Sequence, residues 1–325
     1  MLNRNAFIRT QALLSRKNAS SGMSATANPS YALLPGLSRQ QYQQQQQVAG
    51  LRTTTRSSIS DIMGVNNSLL YNDTVPITDK GQVMDKVYCK VADRYDTVLN
   101  VLSLFMNTMW KRRFVQRMAP APGARLLDVA GGTCEIAKHY LEYQDSVNRD
   151  SASSVHVVDF NEHMLKAGEA RLGGTPWMRE GRVTFAQGDA EDLANVPDNS
   201  VDIYSISAGM HNLAHPERAL SAAYRVLKPG GRFACLEYGH VDTPLFGSVC
   251  RWYLAKAVPM ISQLLYKDGK SYERLATSVL NFPHQAQFVE AIRRAGFHMP
   301  GRGYELFQCG MMVAYIGTKP VVNSK

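Results

Sequence analysis

Leu126-Leu127-Asp128-Val129-Ala130-Gly131-Gly132-Thr133 reads as a short apolar strand running into a glycine turn. In an open α/β sheet, ligands bind beyond the carboxyl ends of the strands. The first strand-to-helix turn must be small enough for backbone to approach them. The glycines do not have the spacing of the dinucleotide fingerprint, which wants a further acid about twenty residues on, so a nicotinamide cofactor is disfavoured. Outward from this turn, Val155 to Asp159, Val183 to Gly188, Val201 to Ser207 and Arg232 to Tyr238 are further apolar runs, with helical patterns between them. Together with Arg125 to Ala130 they predict a parallel sheet wrapped by helices. A helix at Gln285 to Ala295 and two closing strands, near Tyr304 to Phe307 and Met311 to Ile316, complete a Rossmann-like, mostly parallel seven-stranded sheet. Polar Tyr143 to Ser154 reads as a surface loop. Upstream, Val87, Val91, Tyr95, Val98, Leu102, Phe105, Met109 and Phe114 recur near helical spacing, predicting two or three helices that Pro120 and Pro122 end.

The strand ends carry the chemistry. Asp159 ends the second strand, where a carboxylate can accept hydrogen bonds from both hydroxyls of a ribose. Gly188-Asp189-Ala190 ends the third, where Asp189 could accept from an adenine amino group, and Ser207 ends the fourth. An acid at a strand end is often just a helix cap, and a lone glycine pair is weak. In register, the set resembles the class I S-adenosylmethionine-dependent methyltransferases. The resemblance implies that fold, S-adenosylmethionine as methyl donor and no metal. It implies cofactor contacts from Asp128, Gly131, Gly132, Thr133, Asp159, Asp189, Ala190 and Ser207. Cys134 stands where such loops usually carry another glycine, and a side chain is accommodated there if the local φ is negative.

Two further stretches resemble the ubiquinone and menaquinone biosynthesis C-methyltransferases, over approximately Val87 to Lys319. The later one is Tyr224-Arg225-Val226-Leu227-Lys228-Pro229-Gly230-Gly231-Arg232-Phe233 with Leu236-Glu237-Tyr238, and Gly239 replaces the usual serine. Its Lys-Pro-Gly-Gly reads as a helix stop and tight turn into the fifth strand. The earlier one runs from Val91-Ala92-Asp93-Arg94-Tyr95-Asp96 through Ser103 to Trp110-Lys111-Arg112. Here Phe105, Asn107 and Thr108 stand where the family usually has Gly, His and Arg, and Leu99 takes the place of its asparagine. Ser271-Tyr272, Leu275-Ala276 and Ala295-Gly296-Phe297 also fit the family.

The resemblance implies ring methylation of a polyprenyl benzoquinol, of the 2-methoxy-6-polyprenyl-1,4-benzoquinol type, in ubiquinone biosynthesis. Loss of a phenolic proton makes the ring nucleophilic, and ring carbon, methyl and sulfur must then be held in line. The loop Ser207-Ala208-Gly209-Met210-His211-Asn212-Leu213 sits where the acceptor should enter, and the family generally has Arg-Asn at His211-Asn212. An unperturbed imidazole titrates near pH ~6.5, so His211 is the candidate base or phenolate partner, with Asn212 orienting the quinol. The plainer alternative is that His211 fills the arginine's space or caps a helix. Tyr95, Trp252 and Tyr272 are candidate substrate contacts. The insert from Pro244 to Phe282 holds Phe246, Trp252, Tyr253, Tyr266 and Tyr272, enough apolar area to cover a polyprenyl tail. Arg251, Lys256 and Lys267 are placed to face lipid phosphates. An aromatic stripe of this kind reads equally as core or as a homodimer interface. Two rival functions stay open: methylation of another small phenol, and a non-catalytic structural role among ubiquinone-biosynthesis proteins.

Charge placement bears on partners. The chain has 325 residues, 19% of them charged, and a formal net charge of +9. Arg4, Arg9, Arg16, Lys17, Arg39, Arg52 and Arg56 precede any acidic residue, so without the first sixty residues +9 falls to +2. A nearly neutral catalytic part without an Asn/Asp-Pro-Pro-Tyr/Phe motif disfavours nucleic acid. The acid-free leader, with glutamines at 43 to 47, reads as disordered, and Met1 to Lys17 as a mitochondrial presequence. Cys89, Cys134, Cys235, Cys250 and Cys309 are widely spaced, which suits free thiols in a reducing compartment. Arg251, Lys256 and Pro259 interrupt the most apolar stretch, so membrane contact is expected to be peripheral; the family resemblance implies the matrix side of the inner membrane. The expected organisation is a targeting segment at 1–60, a helical segment at 61–120, a methyltransferase domain at 121–319 with a substrate-lid insert at 244–282, and a tail at 320–325.

Overall fold

A computed structural model describes Tyr88, Cys89, Ala92 and residues 95–321 apart from 268. The expected presequence and disordered leader lie outside the described residues, as does most of the approach to the first described helix. Seven strands form one sheet in the order β3-β2-β1-β4-β5-β7-β6. They are β1 (Arg125–Val129), β2 (Ser154–Asp159), β3 (Val183–Gln187), β4 (Val201–Ser207), β5 (Leu227–Tyr238), β6 (Glu305–Phe307) and β7 (Met312–Thr318). The first five are mutually parallel, and β7 runs antiparallel to both β5 and β6. Successive side chains point to opposite faces of a strand, so Leu126, Ile203 and Ala234 enter one apolar layer while Leu127, Tyr204 and Phe233 enter the other. Strand order reverses between β1 and β4. A crevice therefore opens at their carboxyl ends, and the glycine turn after β1 sits in it.

Helices cover both faces. On one lie α2 (Met106–Met118), α3 (Glu135–Tyr143) and α4 (Glu162–Leu172), whose Phe114, Tyr140 and Leu165 pack on the first layer. On the other lie α6 (Pro216–Val226) and α10 (Gln285–Arg294), through Leu220, Ala223, Phe288 and Ile292. The short α5 (Pro176–Arg179) precedes β3. The fold expected from the strand pattern is the fold observed.

Two local expectations need correction. Lys228-Pro-Gly-Gly is not a turn ahead of β5 but part of it: Leu227 pairs with Val201, and a bulge brings Arg232 opposite Ile203. Gly230 absorbs the distortion at φ +80°, and its N–H donates to the Lys319 carbonyl. The polar stretch after α3 opens with a π-helical turn at Gln144–Asn148, and the expected surface loop is confined to the residues between that turn and β2. Gln144 is fully buried because its amide donates to the Ala121 carbonyl and the Tyr140 hydroxyl, so its polarity is satisfied inside.

The helical segment and the insert meet. The helix α1 (Tyr95–Leu102) joins α2 through Leu104 and Phe105, both at positive φ. In the insert, α7 (Pro244–Trp252) runs through a π turn (Tyr253–Ala257) into α8 (Val258–Tyr266), and α9 (Gly269–Leu280) follows. Val98 of α1, Val258 of α8 and Tyr272 of α9 form a third small core, with Tyr88, Tyr95 and Tyr253 packed against it. Among the described residues, no helix is long and apolar enough to cross a membrane.

Candidate active site

The turn after β1 is held by β2. The Gly132 N–H donates to Asp159 Oδ2 at 2.9 Å, while Asp159 Oδ1 accepts the Asn161 N–H at 2.8 Å. Gly131 admits no side chain: a Cβ would stand 2.7 Å from Val157 Cγ1 and 2.9 Å from the Asp128 carbonyl. Cys134 does not meet the condition of a negative φ, because its φ is +63°. The strain is tolerated because its side chain is fully buried, with Sγ 3.6 Å from the Gly132 carbonyl and against Gly168 of α4. Burial pushes this thiol well up, so it is packing rather than a nucleophile.

A cavity of about 320 Å³ occupies the crevice, and Asp128, Gly131, Gly132, Thr133, Asp159, Asp189, Ala190 and Ser207 all border it. Asp189 is shaped for this by its own turn, accepting the Glu191 N–H on Oδ1. Asp128 Oδ1 accepts from Ser205 Oγ at 2.7 Å, and burial pushes the Asp128 carboxyl up to about 7. Asp128 Oδ2, Ser207 Oγ and Asn212 Oδ1 are buried without a hydrogen-bond partner, and all three residues border this cavity. Buried polar atoms are rarely left unpaired, so this cavity suits a ligand rich in polar groups.

Sequence reasoning missed the polar support behind the turn. Lys111 and Asn107 of α2 both bind Glu135 Oε2 of α3, and Asp96 of α1 accepts from Thr133 Oγ1 at 2.9 Å and pairs with Arg171 of α4. Burial works to raise the Glu135 carboxyl, but Lys111 above all holds it below the usual range. Burial and then Glu135 raise Asp96. Lys111 stood within a quoted signature, yet nothing in a sequence marks a helical lysine as buried.

A second, apolar cavity of about 400 Å³ adjoins the first. Tyr95, Tyr272, Trp252 and His211 border it, with Trp252 at its rim and 60% exposed. Tyr88, Tyr95, Leu99 and Tyr238 border both cavities and form their common wall. The short helical turn Met210–Asn212 divides its side chains between them: Asn212 belongs to the polar cavity and His211 to the apolar one. Asn212 Nδ2 donates to the Tyr88 hydroxyl at 2.7 Å. His211 Nδ1 lies 2.7 Å from Glu237 Oε2, and Ser278 Oγ donates to the His211 carbonyl at 2.6 Å. Tyr88 went unremarked in the sequence because a tyrosine near a chain's helical start has no periodic signature. Among the described residues, no group of three His, Cys, Asp or Glu side chains could hold a metal ion.

Residues 77–319 match the model of the ubiE/COQ5 methyltransferase family. The chain belongs to that family. It is 36% identical over 271 residues to the mitochondrial 2-methoxy-6-polyprenyl-1,4-benzoquinol methylase of Schizosaccharomyces pombe, covering 82% of this chain and 88% of the relative. The Homo sapiens protein of the same name is 34% identical over 275 residues, covering 76% and 83%. Among solved structures, the [4+2]-cyclase SpnF superposes with a TM-score of 0.51 at 18% identity, over 74% of this chain and 96% of that one, a likeness of fold. The methyltransferase family inferred from the strand ends and the two signatures is therefore the family found, and its matched span takes in both cavities.

Proposed function

We propose that this methyltransferase C-methylates the ring of a polyprenyl benzoquinol of the 2-methoxy-6-polyprenyl-1,4-benzoquinol type, as a step of ubiquinone biosynthesis. The observation that carries the reading is the pair of cavities with one tyrosine-lined wall, one bordered by orphaned polar atoms and the other apolar. S-adenosylmethionine, when bound, supplies a methyl group on a sulfonium that departs as a neutral thioether. In this reading Asp159 holds the donor's ribose, Asp189 and Ala190 its adenine edge, and Asp128, Gly131, Gly132, Thr133 and Ser207 the remainder. His211 takes the phenolic proton, Asn212 orients the ring at the wall, and Tyr95, Tyr272 and Trp252 line the path of the tail.

The same reading places the protein in mitochondria, peripheral on the matrix face of the inner membrane beside other ubiquinone-biosynthesis proteins. Arg251, Lys256 and Lys267 of the insert face lipid phosphates there. The organisation proposed with it is targeting at 1–60, helices at 61–120, of which α2 also packs on the sheet, the catalytic domain at 121–319 with the 244–282 lid, and the tail at 320–325.

The deciding experiment uses purified full-length protein, labelled S-adenosylmethionine and reduced demethyl quinol analogues of graded tail length. Label should enter the ring, and KM should fall as the tail lengthens. His211→Ala should lower turnover at least about a hundredfold with donor affinity nearly unchanged. Donor binding without any labelled quinol would overturn the reading.

A further inference from the structure

The polar cavity is bordered by five acids, Asp128, Glu135, Asp159, Asp189 and Glu191, and among the described residues by one basic residue, Lys111 of α2. Lys111 is buried, and its ammonium donates to Glu135 Oε2 at the start of α3. Asn107 Nδ2, one turn earlier on α2, donates to the same oxygen at 3.0 Å, while Glu135 Oε1 faces Arg171 Nη1 at 3.6 Å. Arg171 pairs in turn with Asp96. Two cations thus stand against two carboxylates, and the cluster is balanced before any ligand enters. An ammonium carries three N–H groups. Among the described residues, Glu135 is the hydrogen-bond partner that Lys111 has, which leaves donors on the same nitrogen for a ligand. Thr133, the neighbouring hydroxyl on the turn, directs its proton to Asp96 instead.

Position agrees with charge. Along the sheet the order runs β3, β2, β1, with Asp189 just after β3 and Asp159 at the end of β2. With adenine at Asp189 and ribose at Asp159, the donor's third part, its amino-acid arm, comes over the turn after β1, where α2 and the start of α3 border the cavity. That arm ends in a carboxylate and an amine. Among five acids a carboxylate is repelled nearly everywhere. We propose that Lys111 receives the donor's α-carboxylate, so that this buried lysine selects a ligand carrying an amino acid over one carrying only an amine. Glu135 is the positioning residue: it orients the ammonium, and Arg171 on its other oxygen offsets the repulsion between the two carboxylates that then share Lys111. The inference rests on S-adenosylmethionine being the donor and on nothing about the acceptor.

Calorimetry on the full-length protein, with S-adenosylmethionine and with its decarboxylated form, tests this. The second ligand keeps adenosine, sulfonium and amine and lacks the carboxylate alone. Wild-type protein should prefer the first by about ten- to a hundredfold. Lys111→Met should abolish that preference, weakening S-adenosylmethionine while leaving the decarboxylated ligand as tight as before or tighter, because a cation has left its surroundings. Lys111→Met leaves the Glu135 carboxylate without its lysine. Lys111→Met combined with Glu135→Gln removes both charges, and should show the same loss of preference at a melting temperature near wild type. Equal weakening of both ligands would make Lys111 a purely structural group and overturn the proposal, as would a preference kept in either variant. Failure of wild-type protein to bind either ligand would instead overturn the donor reading itself, which separates the two failures.

Discussion

Asp128 sits at the end of β1 with one oxygen bonded to Ser205 and the other without a partner, and burial pushes its carboxyl up to about 7. An ordinary aspartate ionises near ~3.9, so as pH rises the unfolded chain releases this proton first. The stability this residue contributes is complete below about pH 4 and is lost as pH approaches about 7, to a limit of roughly 4 kcal/mol. Asp128→Asn should flatten the fall in melting temperature across that window in ligand-free protein; an unchanged slope would refute the assignment. At this scale, legibility followed chemistry. Asp159 and Gly131-Gly132 could be read because a carboxylate at a strand end and a Cβ-free turn are demanded by local geometry. Lys111, Glu135, Tyr88 and Glu237 could not, because their roles depend on which distant element they meet. Phe105 is intermediate. It was visible as a departure from the glycine that the family resemblance implies there, and its φ of +64° with 74% exposure is a backbone conformation that favours glycine.

The helix α4 is pressed closely on the turn after β1. A Cβ on its Gly168 would lie 2.4 Å from Cys134 Sγ and 2.5 Å from the Gly132 carbonyl. Alanine gains about 1 kcal/mol of helix propensity over glycine, but the clash with backbone should exceed it. Gly168→Ala is expected to lower stability by about 1–3 kcal/mol and to weaken donor binding, measured by thermal melting and calorimetry. Adding Cys134→Gly should recover only part, since the carbonyl contact stays. A melting temperature at or above wild type would show that the turn yields. The strand pattern was legible at this scale because a buried parallel strand must be apolar almost throughout. The bulge at Gly230 and the π turn at Gln144–Asn148 were not. In both, a residue type suited to turns or solvent is satisfied by a backbone group far away in the chain, Lys319 for the first and Ala121 for the second.

Across the whole molecule, large apolar side chains are exposed on α7 (Leu245, Val249, Trp252), on α8 (Met260, Leu264, Leu265) and at the α1–α2 junction (Leu104, Phe105). Leu104, Val249 and Trp252 also border the apolar cavity, so its rim and these side chains are continuous. Exposed apolar area near basic residues suits a lipid surface. Replacing Leu245 and Leu264 together by Glu should reduce sedimentation with anionic vesicles at least about tenfold, leaving donor binding intact. Unaltered vesicle binding would exclude this face, and a change in oligomeric state instead would make it an interface between copies. The common wall of Tyr88, Tyr95, Leu99 and Tyr238 has one more consequence. A single molecule joining a nucleoside to a hydrocarbon arm, with a spacer slender enough to thread these four side chains, would occupy both chambers at once. Its second half would bind at the high local concentration set by the spacer, so it would inhibit far more tightly than either half supplied alone.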